Sequence, residues 1–144
     1  MVYYVYMSKT KLYFWVKVLA VVGLLLGTYL MWEQLARPAW QPCNINATIN
    51  CDAVISGEVA KTLGIPTPLY GLVGYTLILF GAFTQRKKLI LSMASFGLLF
   101  CMYIAYRELF QLHVICPVCI GCQIDMIITF VLAIVLNRRE KSVV

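Results

Sequence analysis

Apolar residues along this chain gather into four runs, with polar or turn-forming residues between them. The runs are "LYFWVKVLAVVGLLLGTYLMW" at 12–32, "LYGLVGYTLILFGAFTQ" at 69–85, "LILSMASFGLLFCMYIAY" at 89–106 and "HVICPVCIGCQIDMIITFVLAIVL" at 113–136. A helix of roughly 20 residues crosses a hydrocarbon core about 30 Å thick, and each run approaches or exceeds that length. None alternates apolar and polar residues as barrel strands do, so the pattern predicts four transmembrane helices. Lys17 interrupts the first run near one end, where its long stem lets the ammonium reach the headgroups. That run is read as an uncleaved anchor, since a secretory signal peptide would leave three further spans to explain.

Composition points the same way. Of the 144 residues, 62% are hydrophobic and 12% charged, which excludes an ordinary soluble domain. The expected fold is an all-α integral membrane protein: one domain over 1–144, a four-helix bundle with a long outer loop at 33–68. The net charge of +6 serves as an orientation signal. Lys9, Lys11, Lys17, Arg86, Lys87, Lys88, Arg138, Arg139 and Lys141 fall on one side of four spans, and Arg37, Lys61 and Arg107 on the other. The positive-inside rule then puts both termini in the cytoplasm and 33–68 outside, and no nucleic-acid partner is needed to explain the charge.

Connections between packed helices usually take about two to eight residues, as 86–88 and 107–112 are expected to do, so the 33–68 loop calls for a reason. It contains "WQPCNINATINCDAVISGEVAKTLGIPTP", with seven residues between Cys43 and Cys51. Ile55, Val59 and Leu63 recur every four positions, and Cys51 continues the row upstream. This predicts a short amphipathic helix over 51–63 on the outer membrane face, ended by Pro66 and Pro68.

Cys116 and Cys119 stand at the outer end of the fourth run, so four of the six cysteines share one side of the membrane. An oxidising compartment permits two bridges there, either as static staples or as redox centres. The C-x-x-C spacing at a helix start favours redox chemistry. Pro117 is tolerated in the first turn, and the unpaired N–H groups of a helix N-terminus stabilise the thiolate that attacks in disulfide exchange. With a rise of about 1.5 Å per residue, Cys119 lies about 4.5 Å deeper than Cys116. One sulfur then faces the outer loop and the other faces the bilayer. That arrangement suits the transfer of two electrons from soluble thiols to an oxidant dissolved in lipid, for which a quinone is the natural choice.

Over roughly 12–136 the chain resembles the vitamin K epoxide reductase family, particularly its prokaryotic disulfide-forming homologues. The resemblance rests on the Cys43–Cys51 spacing, on "CDAVISGEVAKTLGIPTPLYGLVGY" and on "CPVC" opening the last span. It implies a four-helix bundle around a quinone pocket, with ubiquinone, menaquinone or a vitamin K type quinone as co-substrate. By resemblance, Cys119 meets the quinone and Cys116 is its bridging partner. Cys51 exchanges with Cys116, and Cys43 takes electrons from a thioredoxin-like partner carrying its own CxxC. The resemblance also implies quinone contacts at Ser56, beside Gly57 where the family commonly has a serine, at Thr67, where animal members have an asparagine, and at Gln123, where they have a tyrosine. Gln123 could donate to a quinone carbonyl, or could simply bond to a neighbouring helix.

Other residues carry competing readings. Cys122 extends the motif to C-x-x-C-x-x-C, yet a tetrahedral metal site would need a fourth ligand from elsewhere, so no metal is expected. Cys101 and Cys122 are read as packing residues. Asp125, about 13 Å below Cys116, is either a proton relay for quinol formation or a buried hydrogen-bonding group. Arg107 and His113 sit at the interface, where they could support a thiolate or simply anchor. Tyr75 and Tyr103 are candidate pocket walls. The rivals to a quinone-reducing thiol oxidoreductase are a non-catalytic bundle with structural disulfides and a vitamin K epoxide reductase proper.

Overall fold

The structure, a computed structural model, describes residues 9–36, 61–115 and 117–141. Among these residues four α-helices run in chain order as α1 (Lys9–Ala36), α2 (Thr67–Phe83), α3 (Lys87–Arg107) and α4 (Pro117–Lys141). A two-stranded hairpin, β1 (Lys61–Thr62) and β2 (Ile65–Pro66), leads into α2. α1 packs on α2 and α4, and α3 packs on the same two, so the helices close into a ring.

A narrow inward stripe on each helix explains the ring. On α1 the buried residues are Leu12, Val16, Ala20, Gly23, Gly27, Leu30 and Glu33, at intervals of three and four that follow one face of a 3.6-residue turn. Ile90, Ala94 and Ile104 do the same on α3, and Met126, Thr129, Ala133 and Leu136 on α4. The outward faces carry Phe14, Leu25, Phe80, Phe96, Leu99 and Ile124, all exposed. A water-soluble bundle would place charge there, whereas lipid accepts these side chains. Hydroxyls in the apolar segments bond back within their own helix. Thr28 donates to the Leu24 carbonyl at 2.7 Å, Thr76 to that of Leu72 at 2.7 Å and Ser95 to that of Leu91 at 2.8 Å.

Among the described residues three helices, Thr10–Ala36, Lys87–Gln111 and Pro117–Arg138, are long and apolar enough to cross a membrane, and the shorter Thr67–Phe83 is apolar as well. The protein is an all-α membrane bundle.

The turns show which ends meet. α2 closes with a Schellman motif: Gln85 takes φ 56° and the Arg86 N–H reaches the Gly81 carbonyl at 2.8 Å. The Tyr13 hydroxyl donates to the Gln85 carbonyl at 3.2 Å, and the Lys17 ammonium lies 4.6 Å from the Phe83 ring centre. The start of α1 therefore sits at the α2–α3 turn. The hairpin, the end of α3 and the start of α4 gather at the opposite end.

Three expectations are corrected at that opposite end. The 51–63 helix cannot run to its predicted end, because Lys61 pairs with Pro66 and Thr62 with Ile65 across a two-residue turn. Leu63 (φ 55°) and Gly64 (φ 80°) both take positive φ, as a type I′ hairpin requires, and Leu63 is 93% exposed instead of completing an apolar row. The rest of that predicted helix lies outside the described residues. Second, 107–112 is not a loop: α3 continues into a π-helical turn at Glu108–Leu112, closed by His113 at φ 53°. The N–H groups of His113 and Val114 both reach the Glu108 carbonyl, the latter at 3.2 Å. Third, α4 begins at Pro117 and not at 113. Proline disfavours helical geometry in the residue before it and tolerates the first helical position.

Candidate functional site

A cavity of about 110 Å³ opens among the four helices toward the hairpin end. Its size is comparable with the ~150 Å³ apolar cavities that accept one benzene. The space comes from side chains that are missing. Gly23 and Gly27 of α1, Gly71 and Gly74 of α2 and Gly97 of α3 all line it. Two of these glycines also permit close approach: a Cβ on Gly23 would overlap the Tyr75 ring, and one on Gly97 would come within 2.6 Å of the Met126 methyl. On one wall Tyr70 and Phe100 stack with ring centres 5.2 Å apart.

Against this apolar lining stand a few polar groups, the usual make-up of a small-molecule site. Thr67, in the first turn of α2, and Gln123 of α4 are both half-buried at the wall. Three thiols, Cys101, Cys119 and Cys122, line it as well. Thr67, Cys119 and Gln123 are thus brought to one cavity. Cys43, Cys51, Ser56 and Cys116 lie outside the described residues. No disulfide joins Cys101, Cys119 and Cys122 to one another, and each redox pair expected from the sequence includes a residue outside the described range. Among the described residues no three His, Cys, Asp or Glu side chains group as a metal site.

Two buried acids flank the thiols. Asp125, 5% exposed, sits behind the lining with its carboxyl against the Tyr75 hydroxyl. That hydroxyl also donates to the Cys122 carbonyl at 3.2 Å, which fixes the ring at the cavity wall. Thr129 donates to the Asp125 carbonyl at 2.8 Å. Glu108, 3% exposed, comes in from the π-helical turn, and the Cys119 thiol sits against its carboxyl as hydrogen-bond donor. Cys101 lies within the field of both carboxyls.

Several sequence readings change here. Cys101 and Cys122 are wall residues of the cavity, not packing alone. Tyr75 lines it, whereas Tyr103 does not and is 45% exposed. Arg107 lies against Tyr103: its guanidinium is 5.9 Å from the ring centre, its Nη1 donates to the hydroxyl at 3.3 Å and its Nε to Gln111 at 2.7 Å. His113 is exposed, in its left-handed turn. The sequence pattern does not mark Glu108, because 107–112 reads there as a connection. Its signal was a lone acid followed by "LFQLHVI", eight positions before Cys116.

A family model described as "Vitamin K epoxide reductase family" matches residues 14–134. The chain belongs to that family. No curated protein matches the chain. As a vitamin K epoxide reductase family member it is a membrane oxidoreductase linking thiols to a quinone, with a quinone as co-substrate and a thiol partner. In that light the cavity's chemistry fits a quinone, whose ring faces need apolar walls and whose carbonyls need donors.

Proposed function

We propose that this family member oxidises the CxxC dithiol of a thioredoxin-like partner and passes the electrons to a lipid quinone, so that disulfides are made in the partner's substrates. Cys43 and Cys51 exchange with the partner, Cys51 exchanges with Cys116, and Cys116 and Cys119 form the pair that faces the quinone. The reading rests on one observation above all: Cys119 shares the wall of a ring-sized apolar cavity with Thr67 and Gln123. In each turnover two S–H bonds break, one S–S bond forms, and the quinone takes two electrons and two protons.

In this scheme Thr67 and Gln123 orient the carbonyls, and their donors stabilise negative charge as it develops on the oxygens. Ser56 is a third quinone-side residue by resemblance. Asp125, through the Tyr75 hydroxyl it touches, delivers a proton toward the ring. In this reading the chain spans the membrane four times, with both termini cytoplasmic and 33–68 outside, an orientation its Lys and Arg distribution supports.

The test is anaerobic reduction of a water-soluble quinone by the purified, pre-reduced protein, followed by mapping of the bridges formed. Quinol should appear in equal amount to the disulfides, and Cys119→Ser and Cys116→Ser should each abolish it. Full activity in either variant would remove this mechanism. Bridges that stay closed across a redox titration would instead favour the structural-disulfide reading.

A further inference from the structure

Glu108 has no role in the scheme above, yet its setting is unusual. A carboxylate is rarely buried unless it is paired with a cation, and Glu108 is 97% buried in the apolar end of α3 with its Oε1 lacking a hydrogen-bond partner among the described residues. Among the described residues no cation offsets it: the neighbouring Arg107 bonds to Gln111 and Tyr103. The titratable groups that face it are the thiols Cys119 of α4 and Cys101 of α3. The π-helical turn accounts for its position. Leu109, Phe110 and Gln111 are exposed while Glu108 points inward, and π-turns of this sort mark functional sites frequently. A buried carboxyl against a reactive sulfur, with no cation to hold its charge, is set up to exchange a proton.

We infer that Glu108 is the general base for Cys119. Its carboxylate takes the proton from Sγ as the sulfur's electron pair is committed to the quinone, and passes that proton to a quinol oxygen. Over a turnover Glu108 ends as it began, having carried one of the two protons; the second travels by way of Asp125. This assignment rests on the quinone-reducing function proposed above and adds to it a residue that neither the sequence motif nor the family match singles out.

The experiment is single-turnover reduction of a water-soluble quinone by the pre-reduced full-length protein, comparing wild type, Glu108→Gln and Glu108→Asp across pH. General bases contribute about 10²- to 10⁴-fold, so Glu108→Gln should slow the step by roughly 100-fold or more near neutral pH. Its rate should then climb with pH as hydroxide replaces the missing base, narrowing the gap to wild type. Glu108→Asp, which keeps a carboxylate, should regain at least about a tenth of the wild-type rate on the same argument. A purely structural carboxyl would give neither the pH-dependent recovery nor the Asp rescue, because Gln preserves size and hydrogen bonding. A Glu108→Gln rate within about threefold of wild type, a gap that stays constant with pH, or an Asp variant no faster than Gln overturns the assignment while leaving the quinone function intact. A wild-type protein that reduces no quinone overturns both.

Discussion

Gly23 lets the Tyr75 ring lie directly on α1, and replacing it with alanine tests whether that contact shapes the cavity. An alanine Cβ would overlap the Cε1, Cζ and Cδ1 atoms of the ring. Ordinary carbon contacts need about 3.5–4.0 Å, so either the ring or the whole of α1 must move by about 1 Å or more. The ring cannot move freely, being 3% exposed with its hydroxyl bonded to the Cys122 carbonyl at 3.2 Å. Overpacking of this sort costs about 1–3 kcal/mol, and the better helix propensity of alanine offsets up to about 1 kcal/mol of it. Breaking the bond between α2 and α4 adds about 0.6 kcal/mol. With the full propensity offset the sum is a net loss of about 0.6–2.6 kcal/mol for Gly23→Ala. Gly74→Ala is the control: it lines the same cavity, but its Cβ would meet nothing within 4 Å, so only the propensity gain applies. Thermal unfolding in one detergent should rank the proteins Gly74→Ala at or above wild type and Gly23→Ala several degrees below it. The quinone KM of Gly23→Ala should also rise, since the displaced ring narrows the cavity. Equal midpoints and equal KM for the two variants would refute the argument.

The remaining expectations concern the same cavity. Gln123→Leu, which keeps bulk but removes the amide, should raise the quinone KM or lower kcat by about tenfold, the worth of one hydrogen bond of about 1–1.5 kcal/mol; steady-state kinetics unchanged in both parameters would exclude the contact. Asp125→Asn should slow quinone reduction, and unchanged turnover would rule out the relay. Cys101→Ala and Cys122→Ala should leave quinone-coupled thiol oxidation within a few-fold of wild type, because the proposed electron path uses neither sulfur; loss of activity in a well-folded variant would place that thiol on the path. Ile78→Ala removes a fully buried side chain where α2 enters the core, and should destabilise the bundle by about 2 kcal/mol or more in a denaturation series.

Much of the site was legible in the sequence because the relevant signals are local. Three residues apart on one helix, Cys119 and Cys122 necessarily fall close together, and Gln123 follows from the same periodicity. Glu108 was not legible. A helix continuing through 107–112 cannot be told from a connection by polarity alone, and the π-helical turn that swings its carboxyl inward is set by backbone bonds from His113 and Val114. The predicted 51–63 helix overran its end for a related reason: apolar residues at four-residue spacing extend past 60, but the Leu63–Gly64 turn wins because Gly64 takes positive φ freely and Pro66 follows.

The sequence by itself determined the class of the protein and marked its candidate thiols. Long apolar runs have few ways to satisfy their backbone except as membrane helices, and C-x-x-C ahead of such a run is a local signature. Only the tertiary structure decided which side chains share a wall. The meeting of Thr67, Cys119 and Gln123, the ring of Tyr75 over Gly23, and Glu108 against Cys119 all cross between helices. Contacts of that kind depend on how the helices rotate and approach one another, and in lipid this is set by small residues and close packing between helices, not by a hydrophobic pattern readable along one chain.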